Sequence, residues 1–317
     1  MRHLAVNVYH WGETEQNRLM TQCVGPTLRP LWEAGKLDRF WFHRYDARGP
    51  HVLLLLSVPE AGEDEVLGLL SAALDEYLAE SPSAAVIDDA ELEKRHRMCR
   101  GGVLCSLDEG SDIAPNNSFG IVERAPNGYP FQYVSGAPDE DAELWRTMGE
   151  LSFWSIRHLG PGREDRAVVR WAAAQDRALV EAGLDAEPFW RFYACTLLHV
   201  LVTRLETEEA VVLAALPGWV GEKNTGVFDR LWGLEESDPV VTDAAREMAR
   251  RAAAVPDGDL PARWWPVREI THCTFAQLNH FVRKRLPIVL YAWSRSAGVP
   301  AAEAEPEPEA EAALVPA

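Results

Sequence analysis

Positive charge is scarce in this chain: 31 Lys and Arg stand against 49 Asp and Glu, for a formal net charge of −18 and a pI near 4.9. A nucleic-acid reader needs a basic stripe to neutralise phosphates, and none is evident, which argues against that class of partner. Cysteine is sparse and unpatterned. Cys23, Cys99, Cys105, Cys195 and Cys273 are odd in number, form no CxxC pair and make no disulfide framework. The spacing of Cys99 and Cys105, even with His96 nearby, matches no zinc pattern, so no metal or cofactor is expected. No apolar run reaches the roughly 18 residues of a membrane span, and the start lacks a basic n-region followed by an apolar h-region. The expectation is a protein of the reducing cytoplasm with no membrane partner. Neither Gly-x-Ser-x-Gly nor a Gly-rich phosphate loop occurs, which removes the signatures of the common serine hydrolases and nucleotide binders.

Apolar material, in contrast, is plentiful. With 317 residues, 47% of them hydrophobic, and twelve Trp, the chain has enough to fill a substantial core. His3 to Tyr9 alternates with the period of a strand, and Glu15 to Lys36 reads as a helix with a break at Gly25-Pro26. Phe40 to Tyr45 and His51 to Val58 are strand-like and joined by the turn composition Asp46-Ala-Arg-Gly-Pro50. Glu63 to Ala79 carries Val66, Leu69, Leu70, Ala73, Leu74 and Tyr77 at helical spacing. This β-α-β-β-α order predicts an α+β protein with a ferredoxin-like module over residues 1–89.

Residues 90–138 read as a loop-rich connector, with Gly101-Gly102, Pro115-Asn-Asn-Ser118 and Pro126-Asn-Gly128 separating short strand-like pieces such as Phe131 to Val134. Residues 139–297 turn helical: Ala142 to Leu159, Glu164 to Ala182, Pro188 to Glu206, Val240 to Ala254 and Ile270 to Ser296 all carry apolar faces. The three parts read as one domain over residues 1–297. Residues 298–317, rich in Ala, Glu and Pro, have almost nothing to bury and are expected to be a disordered tail.

The hairpin RFWFHRYDARGPHVLLLL (residues 39–56) ends one strand in His-Arg-Tyr-Asp and places no polar residue in the second after His51. Its strand, Gly-Pro-His turn and strand resemble the opening of the lantibiotic dehydratase C-terminal domain and of thiopeptide-type bacteriocin biosynthesis proteins. Leu278-Asn-His-Phe-Val-Arg-Lys-Arg-Leu286 resembles that family's C-terminal Leu-x-His-Met-x-x-Asn-Arg-Leu helix. Glu91-Leu-Glu-Lys-Arg-His96 with Gly101-Gly102 is similar to a degraded Glu-x-Glu-Arg-Tyr-Gly-Gly. The three landmarks occur in family order and bracket most of the chain.

The resemblance implies a ribosomally made precursor peptide as partner, leader plus azole- and dehydroalanine-bearing core. Glutamate-eliminating members of the family place two arginines after the Gly-Pro-His, where this chain has Leu53 and Leu55. Leucine offers no guanidinium clamp for a carboxylate. The departure implies the family's other chemistry, a formal aza-[4+2] cycloaddition between two dehydroalanines that makes a pyridine macrocycle and expels water and leader. On this reading His280, Arg285 and Tyr291 are the candidate catalytic groups. His280 and Tyr291, eleven residues apart, can share a face if one helix runs through Pro287. Candidate substrate-binding residues are His51, Leu53, Leu55, Arg44, Arg283, Tyr9, Trp264 and Trp265. Arg44 and Asp46 can alternatively pair with each other, and Trp264-Trp265-Pro266 reads as a loop able to stack on azoles. Two alternatives stay open: a glutamate eliminase using Arg95 or Arg97, and a non-catalytic leader-binding scaffold. The sequence leaves monomer and homodimer equally open.

Overall fold

The computed structural model describes residues 1–46, 48–99, 112–123, 142–203, 228–233, 238–256, 258–280 and 282–298. The Phe131–Val134 segment, Gly101-Gly102 and the tail after Gly298 lie outside the described residues.

The chain opens with β1 (Arg2–Tyr9), α1 (Glu13–Leu19), one π-helical turn (Met20–Val24) and α2 (Gly25–Glu33). Gly25-Pro26 does not break this run. Proline is tolerated at the start of a helical segment, where its missing N–H is not needed, and Gly25 sits where a Cβ would press on the Met20 carbonyl and Ile156. Then come β2 (Arg39–Tyr45), β3 (His51–Val58), α3 (Glu63–Glu80), α4 (Asp89–Cys99) and β4 (Ser118–Glu123). The strands form one fully antiparallel sheet in the order β2-β3-β1-β4. The expected ferredoxin-like module is therefore complete, with β4 as a strand that the turn-rich sequence around Asn116-Asn117 concealed.

β3 is a central strand buried on both faces apart from Leu55, which accounts for its uninterrupted leucines. Leu54 and Leu56 join the core with Val66, Leu70, Leu74 and Leu78 of α3. That stripe is narrower than the sequence pattern suggested, leaving Leu69 about half exposed. The free edge of β2 is covered by α5 (Ala142–Arg157), with Phe153 against Phe40. Covering an edge strand removes a row of unpaired backbone groups from solvent.

The helical half continues with α6 (Arg163–Glu181), α7 (Glu187–Thr203), α8 (Pro239–Ala254), α9 (Leu260–Gln277) and α10 (Val282–Ser296). α8 packs on α6 and α5, and α10 on α7 and α6, around fully buried Trp154, Trp171 and Trp190. Asp238 caps α8 by accepting from the Val240 N–H at 3.1 Å, with Pro239 in the first turn. No helix among the described residues is long and apolar enough to cross a membrane.

The apolar pattern from Ile270 to Ser296, expected to form one helix, belongs to two. α9 ends at Gln277, and Asn279 adopts a left-handed conformation with φ 62°. The His280 N–H then returns to the Phe275 carbonyl (2.8 Å) and the Asn279 N–H to Ala276 (3.1 Å). This is a Schellman C-cap with asparagine in the place glycine usually takes. His280 is consequently the residue after the cap, and it shares no helix with Tyr291.

Candidate functional site

The family-like motifs meet where the end of β2 touches α1, the first turn of α6 and the α9–α10 turn. The fold aims the side chains here by alternation along β2: Arg39, Trp41, His43 and Tyr45 point to one face, Phe40, Phe42 and Arg44 to the other. Gln277, the last residue of α9, bolts the helix to the edge strand by donating from Nε2 to the Phe42 carbonyl (2.9 Å) and the Ser152 hydroxyl (3.1 Å).

Arg44 is buried and does not pair with Asp46. Its guanidinium donates to Gln16 Oε1 (3.1 Å), Asn17 Oδ1 (2.5 Å) and the Gln277 carbonyl (3.4 Å). Burial lowers its pKa to about 10, against the opposing pull of Glu164 and Glu13, so it stays cationic near neutral pH. Asn17 in turn donates to Glu164 Oε1 (2.5 Å). Arg44 thus fastens three elements, and substrate contact would require it to leave them. Asp46 instead faces Arg95 (3.8 Å), which is also held by Glu91 (2.8 Å).

His280 is almost fully buried, and both its ring nitrogens are engaged. Nδ1 donates to the Leu278 carbonyl (2.8 Å), and Nε2 meets Asp165 Oδ1 on α6 (3.0 Å). Asp165 is held below the usual carboxylate range by its hydrogen bond to His280. The Asp165 carboxylate and the Leu278 carbonyl together fix the plane of the His280 ring. The side chain anchors the turn to α6, and its own carbonyl accepts from Arg285 Nε at 2.7 Å.

Arg285 is the chemically distinctive group. Only 1% exposed, it bonds through Nη1 to His272 Nδ1 and stands against the Tyr193 phenol. No carboxylate among the described residues pairs with it. Burial lowers its pKa, with Tyr193 opposing and Arg268 reinforcing the shift. Arg268 has its own buried partner, Glu269, at 2.7 Å. His272 is pushed well below its ordinary value by burial and then by Arg285. His43, stacked 6.4 Å from His272, falls to about 3 for the same causes. A buried guanidinium flanked by neutral rings leaves positive charge uncompensated, an arrangement that costs stability and is characteristic of functional sites.

Leu53 lies on this same face, opposite His43 on β2 and Asn7 on β1, and is 1% exposed within the core. Leu55 follows opposite Trp41 and Ala5, partly buried. The ring row continues across the sheet as Tyr45, His51 and Tyr9, with His51 5.7 Å from Tyr45 and 4.8 Å from Tyr9. His51 Nδ1 donates to the Gly49 carbonyl (2.9 Å) and so also closes the hairpin turn.

Three sequence-derived candidates fall elsewhere. The Tyr291 hydroxyl donates to Asp229, and burial with that bond raises its pKa to about 12. Trp264 and Trp265 are in α9 rather than a loop: Trp264 is core beside Phe189, while Trp265 packs on Phe192 under Arg268. The Arg283 side chain lies outside the described residues. His43, His272 and Tyr193 were missed by sequence reading, because none has a partner at motif spacing; the one visible signal was a histidine inside the FWFHRY strand.

Residues 4–99 match the family model described as lantibiotic biosynthesis dehydratase C-term. No curated protein matches the chain by sequence. Among solved structures, the chain superposes on TbtD, a pyridine synthase from thiomuracin biosynthesis, with TM-score 0.68 and 18% identity, covering 94% of this chain and 99% of that one. The tRNA-dependent lantibiotic dehydratase MibB from Microbispora sp. 107891 matches at TM-score 0.54 and 13% identity over 93% of this chain, which spans 28% of that protein. TsrL matches at TM-score 0.52 and 13% identity, over 93% of this chain and 94% of its own. The chain therefore carries the fold of the lantibiotic dehydratase C-terminal proteins and of the pyridine synthase TbtD, with the family's sequence signature in its first third.

Proposed function

We propose that the protein is an enzyme of thiopeptide biosynthesis that joins two dehydroalanines of a ribosomal precursor by a formal aza-[4+2] cycloaddition. Loss of water and of the leader peptide then gives the pyridine and the macrocycle. The observation that carries this reading is the superposition on a pyridine synthase over nearly the whole of both chains. Leu53 and Leu55 support it, since β3 itself brings no guanidinium to the face beside His43.

The reaction asks for positioning and directed polarisation more than for covalent help. In this reading Arg285 polarises the oxygen of the amide that must react as its iminol tautomer. A buried cation whose hydrogen-bond partners among the described residues are neutral acts strongly on such an oxygen, because the low local dielectric screens it little. His51 and Tyr9 line the same face as substrate contacts, and His280 holds the turn that presents Arg285.

Purified protein incubated with a bis-dehydroalanine, azole-bearing precursor should yield a macrocycle and free leader by mass spectrometry. Unchanged precursor would refute the reading. One observation favours a second reading: the unpaired guanidinium of Arg285 is also able to seat a carboxylate. A glutamylated precursor losing glutamate to give dehydroalanine would select an eliminase instead.

A further inference from the structure

Resting on the reading in which Arg285 meets the substrate oxygen, we infer that His272 is the positioning residue that fixes the Arg285 guanidinium, with His43 stacked behind it. A guanidinium carries five N–H donors and can rotate about its stem unless several are engaged. Here Nε is held by the His280 carbonyl (2.7 Å), Nη1 by His272 Nδ1, and the Tyr193 phenol stands against the group. The two hydrogen-bond partners, the His280 carbonyl and His272 Nδ1, are neutral acceptors, and the phenol beside them is neutral as well. A carboxylate in any of these places would bind bidentately and cancel the charge, whereas neutral acceptors set the orientation and leave it available.

The arrangement works in one tautomer only. His272 accepts at Nδ1, so its hydrogen is on Nε2, and a second proton would be driven against the guanidinium. The charged form is disfavoured by burial, Arg285, Arg268 and His43. The His43 ring lies nearly parallel to that of His272, at 6.4 Å and 27°. His43 comes from β2 and His272 from α9, and Gln277 ties these two elements together at the Phe42 carbonyl. The sheet and the helical half therefore aim the cation jointly.

The test uses the full chain and the bis-dehydroalanine precursor. His272→Leu removes the acceptor and is expected to lower kcat about 10- to 100-fold, the cost usual for losing an outer-shell orienting partner. KM should change less than about 3-fold, since an interaction lost mainly from the transition state leaves ground-state binding in place. His272→Asn, whose amide oxygen takes the place of Nδ1, should recover most of the loss. If Asn is no better than Leu, and both lose activity in proportion to their melting temperatures, the role is structural and the inference is overturned. A second readout does not depend on turnover: ¹⁵N NMR of the wild-type imidazoles should show His272 with Nδ1 unprotonated, moving when Arg285 is replaced by Gln. A protonated Nδ1 overturns the inference whether or not precursor reacts. The expected signature in a protein that turns over no precursor would instead sink the cycloaddition reading alone.

Discussion

The two stacked histidines make acid stability a direct test of the buried site. His43 has an ordinary value of 6.5 and a folded value of about 3. A group whose folded pKa is depressed contributes stability that is whole above its unfolded value and is lost as pH falls toward the folded one. Each pH unit below about 6.5 therefore removes about 1.4 kcal/mol for one such histidine, or about 2 kcal/mol by about pH 5. His272 adds to the loss with the same sign. Asp46 and Asp176, whose pKa values burial raises, act in the opposite direction. The clean quantity is a difference between two proteins that share those carboxylates. In His43→Phe an uncharged ring takes the same place against His272. Urea denaturation of both proteins at about pH 7 and about pH 5 should show the wild type losing about 2 kcal/mol more than the variant. Parallel loss in the two proteins would mean that His43 is protonated in the folded state, and the electrostatic account of Arg285 would fall with it.

Leu53→Ala should destabilise the protein by about 2–5 kcal/mol in denaturant titration, because the side chain is wholly enclosed between β1 and β2 and its removal leaves a cavity. A loss below about 1 kcal/mol would place Leu53 on a collapsible or open wall. Gly149→Ala should cost at least about 1–3 kcal/mol, since the new Cβ would come 2.3 Å from the Trp32 ring where α5 crosses α2; an unchanged melting temperature would contradict that packing. Asp238→Ala should cost about 1 kcal/mol through loss of the α8 N-cap, read from the same titrations, with no effect on m.

Much of the fold is legible in the residues because local rules and burial agree there. Period-2 alternation in β1 and the turn chemistry of Asp46 to Pro50 predict the hairpin module, and both form. β4 escaped notice because Asn116 and Asn117 read as a loop. In the fold they are a knot: Asn117 Oδ1 is bonded to His10 and accepts from the Ser83 N–H, and Asn116 Oδ1 accepts from the Trp11 N–H, setting β4 beside β1. The α9–α10 break was hidden for the opposite reason, since its apolar periodicity continues through a cap made by asparagine rather than glycine. At the site, Arg285 and His280 were found through a motif, but His272, His43 and Tyr193 carry no pattern. Their meaning comes from partners 13, 242 and 92 positions away from Arg285 in the chain.

By itself the amino-acid order determined the composition of the interior, the strand and helix periods and the absence of arginine at positions 53 and 55. These are properties of single residues and their near neighbours, which solvent and backbone sterics act on directly. Only the tertiary structure decided that Arg44 is a fastener, that both nitrogens of His280 are engaged, and that Arg285 stands buried among neutral rings with no carboxylate partner among the described residues. Charge compensation depends on which distant groups enter the same low-dielectric volume, and packing β2 against α9 and α10 settles that.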